Sequence, residues 1–124
     1  MIKWMHLIIG GALGTTARYV LSGMIYTWAG SSFPYGTMIV NLLGCFLLGF
    51  LAVVSEEKFM LGPETRLLLM VGFCGAFTTF STFIMETANL IRDGETVHAF
   101  LNLFLSVVIG FVVFRMGILI GEII

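Results

Sequence analysis

The chain has 124 residues, of which 59% are hydrophobic and 10% charged, and its formal net charge is −1. An ordinary soluble domain is about 45–50% apolar and about 25% charged, and one this short buries only about 60–70% of its chain, so a soluble enzyme could not hide this apolar surface. Disorder requires a polar, charge-rich chain and nucleic-acid binding a basic cluster; neither is present, which leaves an integral membrane protein.

A membrane span needs about 20 predominantly apolar residues. Residues 19–55, 67–85 and 97–114 contain no Asp, Glu, Lys or Arg. The first of these runs is too long for one helix and is interrupted by Ser31, Ser32 and Pro34. The pattern predicts an all-α membrane protein with spans at about 5–27, 35–54, 66–91 and 97–121, which make residues 1–124 a single four-helix transmembrane domain.

The first span opens like a signal peptide, with Lys3 before apolar residues. Its apolar character runs past Arg18 to Ala29 without a small-residue cleavage site, so the segment is expected to be retained. Gly10 and Gly14 form a GxxxG, a spacing that lets helices approach closely, and Arg18 lies one turn further on the same face. The arginine can snorkel to the interface, bind backbone carbonyls freed nearby or orient a pore entrance. The glycines are not a phosphate loop, since no GxxxxGK[ST] is present.

After the turn-forming linker WAGSSFPYG at 28–36, the second span places Thr37, Asn41 and Gly44 on one polar or small stripe. The loop SEEKFMLGPETR at 55–66 reads as a solvated turn, with Pro63 starting the next helix. Cys45 and Cys74 read as small core residues, because no metal-ligand spacing accompanies them.

The third span holds GFCGAFTTFSTF at 72–83. Thr78, Thr79, Ser81 and Thr82 crowd hydroxyls beside two glycines, which predicts a helix broken in mid-membrane. Irregular backbone at that depth is tolerated only where it is buried or lines a wet cavity. Phe80 and Phe83 share a face, either as packing or as ring edges that touch an anion with the positive part of their quadrupole. In the fourth span His98, Asn102, Ser106 and Gly110 recur every four residues, and Gly117 and Gly121 form a second GxxxG.

Each span thus carries one polar or small stripe, which serves either helix–helix contact or a polar conduit. Asn41, Ser81, Thr82, Asn102 and Ser106 offer N–H and O–H donors that replace an anion's water shell. A cation exporter would want a carboxylate deep in the bilayer, whereas Glu86 stands near a span end and Glu122 at the chain end. Four helices enclose little space, so a pore forms more easily between two copies. The positive-inside rule favours both termini inside, but the bias rests on few charges, which leaves insertion in both orientations open.

The segments GGALGTTARY at 10–19, FPYGTMIVNLLGCFLLG at 33–49 and GFCGAFTTFSTF resemble the Fluc (CrcB) fluoride channel family. The resemblance implies a non-enzymatic, fluoride-selective channel in the bacterial inner membrane that exports cytoplasmic fluoride passively. It implies an antiparallel, dual-topology homodimer with two pores. Phe80 and Phe83 would line the ion path, and Asn41 would hydrogen-bond the ion. Ser81, Thr82 and Ser106 would form parts of a polar track, with Thr37 and Glu86 beside it. The backbone carbonyls of Gly75 and Thr78 from both subunits would hold a structural Na+ at the dimer centre. Arg18 matches the family's first-helix arginine, and Asn102 stands where some members carry tyrosine. Two rival readings remain. A small multidrug-resistance-type proton-coupled exporter needs an acidic residue in its first helix, and residues 4–27 contain none. A non-transporting scaffold would use its stripes only for packing.

Overall fold

The computed structural model describes residues 1–124 and consists of helices joined by short loops. The first helix, α1, runs over Ile2–Ala29 and stops at Gly30, whose φ of 81° suits glycine and whose N–H closes on Tyr26 O at 2.9 Å. Pro34 sets the start of α2, Tyr35–Glu57, whose last turn widens to π-helical winding over Val53–Glu57. Pro63 then opens the third span, Pro63–Arg92. That span is two helices: α3, residues 63–77, wound as a π-helix over Leu67–Cys74, and α4, Phe80–Arg92. Gly94, at φ 79°, turns the chain into α5, Thr96–Ile123.

The α2 helix, the third span and α5 are each long and apolar enough to cross a membrane. The sequence pattern predicts four such spans. With 28 residues, about 42 Å at 1.5 Å per residue, α1 has the length. It falls short in composition because Gly10, Gly11, Gly14, Thr15, Thr16 and Arg18 dilute its apolar residues. The remaining departures from expectation are small extensions at span ends, where the apolar run stops but hydrogen bonding continues.

Two close helix pairs organise the bundle. A Cβ on Gly10 would collide with Leu68 O and one on Gly14 with Phe73 O, so α1 lies backbone-to-backbone on α3. On the other side, a Cβ on Gly49 would meet Phe114 O and one on Gly117 would meet Phe46 O, which joins α2 to α5 in the same way. Small residues permit this approach where apolar solvent supplies no hydrophobic drive.

Only 23 of the 124 residues are buried, among them Val40, Val53, Phe77, Phe83 and Ala99, while Leu13, Val71, Phe100, Phe104 and Phe111 face outward. An apolar exterior this large calls for lipid or another protein surface over it.

Candidate functional site

The helix break lies at Thr78 and Thr79, both in extended conformation (φ, ψ of −88°, 156° and −149°, 112°). In an unbroken helix Thr79 N–H would bond to Gly75 C=O. Here it donates instead to Asn41 Oδ1 at 2.8 Å, while Asn41 Nδ2 donates to Thr79 O at 3.0 Å. One side-chain amide therefore satisfies both polar groups of the Thr79 residue. Gly44, one turn after Asn41, makes this possible: a Cβ there would overlap the Thr78 methyl, so only glycine lets α2 come this near.

Further partners complete the break. Thr79 Oγ1 accepts from Thr82 N–H at 3.3 Å, which caps α4, and donates to Thr82 Oγ1 at 3.0 Å. Thr78 Oγ1 donates to Cys74 O at 2.9 Å. Arg18 Nε donates to Ala76 O at 3.0 Å across 58 residues of chain. Arg18 thus bonds a carbonyl freed by the break, and the Gly10 and Gly14 contacts deliver it to that place.

Phe80 and Phe83 follow directly on α4, with ring centroids 5.9 Å apart and planes inclined at 49°. Their surroundings differ. Phe83 is 7% exposed and packed in the bundle, whereas Phe80 is 74% exposed. Phe80 borders a cavity of about 300 Å³ together with Asn41, Gly44, Gly75, Thr78 and Thr79. Thr82 is half-buried, and Ser81 faces outward. In α5, Asn102 is 1% exposed and donates through Nδ2 to Thr87 Oγ1 at 2.8 Å, and Thr87 in turn donates to Phe83 O at 2.8 Å. Ser106 Oγ is buried and has no hydrogen-bond partner within the chain.

Thr37 and Glu86 form a separate cluster with Tyr26. Thr37 Oγ1 donates to Glu86 Oε1 at 2.8 Å. Tyr26 O–H lies 3.2 Å from each Glu86 carboxylate oxygen, and it accepts from Thr37 N–H at 3.3 Å. A second cavity, of about 370 Å³, opens beside this cluster toward Ser31, Ser32, Asn89, Asp93 and Glu95.

The predicted residues therefore fall into groups: Asn41 with Thr78, Thr79, Thr82 and Phe80; Thr37 with Glu86; Asn102 under Phe83; and Ser106 alone. Sequence reasoning missed Tyr26 and Thr87. Tyr26 was within reach, because Gly10, Gly14, Arg18, Ser22 and Tyr26 continue one stripe at intervals of four. Thr87 lies four residues after Phe83, on the face that Asn102 meets.

The sequence profile of the family described as CrcB-like protein, Camphor Resistance (CrcB), matches residues 5–118. The chain belongs to this CrcB family. Among its relatives, proteins called "Fluoride-specific ion channel FluC" are similar over nearly the whole length. The one from Desulforapulum autotrophicum is 43% identical over 122 residues, covering 98% of each chain. That from Magnetococcus marinus is 44% identical over 123 residues, 99% of this chain and 98% of its own. That from Maridesulfovibrio salexigens is 40% identical over 124 residues, 100% and 98% respectively. As a CrcB chain it carries the break, the Asn41 clamp and the Phe80–Phe83 pair within the matched region.

Proposed function

We propose that this CrcB chain is a fluoride-selective channel, not an enzyme, that lets cytoplasmic fluoride leave a bacterial cell across the inner membrane. The observation that carries the reading is identity of 40–44% over the whole chain to relatives named for that activity. The arrangement of polar groups supports it. Fluoride is small and strongly hydrated, so a path for it must offer many donors without a full positive charge that would trap it. Asn41, Thr82, Ser81 and Ser106 are uncharged donors of this kind, and the edges of Phe80 and Phe83 add positive quadrupole. Passive flow needs no ATP or carboxylate relay, because the membrane potential supplies about 2.3 kcal/mol per charge per 100 mV.

The working unit in this reading is an antiparallel dual-topology homodimer with two pores, in which α1 is the fourth span of each subunit. Its support is the open, partly apolar surface around the break, with Phe80 74% exposed and Gly75 free of neighbours within 4 Å of a Cβ. Gly75 and Thr78 fit a structural Na+ in kind, since a hard cation takes oxygen ligands and Gly75 C=O has lost its usual partner to Asn41. Two carbonyls make an incomplete shell, so a second copy would have to supply the rest. When bound, the ion would pin the two breaks against each other.

The test is fluoride efflux from liposomes that hold purified protein, driven by a potential and without a proton gradient. Fluoride-specific efflux is expected, and its absence from well-folded protein would sink the proposal. A proton-coupled exporter would instead show flux tied to the proton gradient.

A further inference from the structure

The cavity of about 370 Å³ beside Tyr26 presents three carboxylates, those of Glu86, Asp93 and Glu95. Three bare acids would repel an anion, yet Asp93 and Glu95 each have a basic side chain close by. Asp93 Oδ1 lies 3.6 Å from Arg92 Nε, and Glu95 Oε2 lies 3.1 Å from His98 Nδ1. Glu86 has no basic partner; it is held by the hydroxyls of Thr37 and Tyr26. Thr37 reaches only Oε1, which leaves Tyr26 as the donor nearest Oε2.

The place of Tyr26 is built into the helix packing. A Cβ on Gly36 would come within 2.5 Å of Tyr26 Cε2 and 2.8 Å of Ser22 O, so glycine at 36 leaves the slot in which the ring lies. That slot brings the phenol oxygen to Thr37 N–H, one of the free donors in the first turn of α2, which has no side-chain cap from its own N-cap residue. The phenol thus relays the positive end of α2 to the Glu86 carboxylate.

We propose that Tyr26 is a positioning residue for anion passage: its hydroxyl pins the Glu86 carboxylate to the α2 N-terminus and keeps that charge on the cavity wall. The inference rests on the fluoride-channel reading. Without the hydroxyl, Oε2 loses its donor and the carboxylate turns toward water in the cavity. A carboxylate turned toward a passing anion repels it more strongly and lowers flux.

The experiment is a double-mutant cycle read as fluoride efflux from liposomes: wild type, Tyr26→Phe, Glu86→Gln and the double variant. The Phe ring keeps its seat on Gly36, and elution volume and thermal unfolding check that the bundle is intact. Tyr26→Phe is expected to reduce flux several-fold with Glu86 present and less than about twofold with Gln at 86. A merely structural role would give the same loss in both backgrounds, and that result, or no loss in either, overturns the proposal. If the wild type passes no fluoride, the channel reading fails and this inference falls with it; if the wild type conducts and the coupling is absent, only the inference falls.

Discussion

Replacing Asn41 tests the central feature of the site, because one side chain there holds two backbone groups. Asn41→Ala removes the 2.8 Å and 3.0 Å bonds and leaves Thr79 N–H and C=O without their partner. Left dry, each orphaned group would cost about 1–3 kcal/mol. Asn41 and Thr79 both border the cavity of about 300 Å³, however, so water can replace much of the loss. Hydrogen bonds between membrane helices average only about 0.6 kcal/mol by mutant cycles. The expected loss of stability is therefore about 1–2 kcal/mol, too small to prevent assembly. The effect on flux is expected to be larger, at least tenfold, because the cap of α4 and the placement of Phe80 depend on the Thr79 conformation. Asn41→Asp separates the two bonds. The carboxylate can still accept from Thr79 N–H, but it faces Thr79 O without a donor and adds a negative charge at the break. It is expected to abolish fluoride flux and to lower stability at least as much as Asn41→Ala, because an unpaired charge then faces a carbonyl oxygen. Thermal unfolding in detergent and liposome efflux on the same preparations decide the matter. Full flux and unchanged stability in Asn41→Ala would refute the clamp.

Three other predictions concern the aromatic pair, the helix contacts and topology. Phe80→Ile and Phe83→Ile should both impair fluoride flux, but only the second, at a 7% exposed position, should lower thermal stability, by about 1–2 kcal/mol; unaltered flux in both variants would remove the ring edges from the ion path. Gly14→Ala drives a methyl into Phe73 O and should destabilise the protein by about 2 kcal/mol or more, whereas Gly11→Ala, with nothing within 4 Å, should not; equal melting temperatures would contradict the close α1–α3 packing. A C-terminal tag should be accessible from both sides of the membrane in cells, and a single orientation would argue against the antiparallel dimer.

Much of this arrangement was legible in the sequence, and the illegible part has a physical pattern. Charge-free runs located the helices, since an apolar chain of spanning length has few other options in lipid. The hydroxyl cluster after Gly75 marked the break because no ordinary lipid-facing helix needs it. The partners of the break were harder to read. Asn41 announced a polar stripe, but whether its amide faces an ion or a backbone depends on Gly44 meeting Thr78, a contact between separate helices. The same holds for Phe80 and Phe83: spacing put them on one face, yet packing buried one and left the other open. Tyr26 escaped notice because a tyrosine near a span end fits an interfacial belt equally well, and only Gly36 reveals the slot that turns it inward.

The hydrogen bonds of the break also narrow which groups remain for an anion. Thr79 N–H, Thr79 O, Ala76 O, Cys74 O and Thr82 N–H are all engaged within the chain. These groups therefore stay with the fold and are not offered to a passing ion. Besides the freed Gly75 C=O and the first N–H groups of α4, side-chain capacity is left over. Asn41 uses one of its two amide hydrogens on Thr79 O, Thr82 Oγ1 accepts from Thr79 and keeps its own proton, and Ser106 Oγ has no partner. Those surplus donors carry no charge and lie along neighbouring helices. In the proposed channel an anion would draw on them without breaking a bond that holds the fold, so it would bind and leave without unfolding the site. That separation of holding groups from donating groups would let the proposed path bind a strongly hydrated anion only as firmly as passage allows.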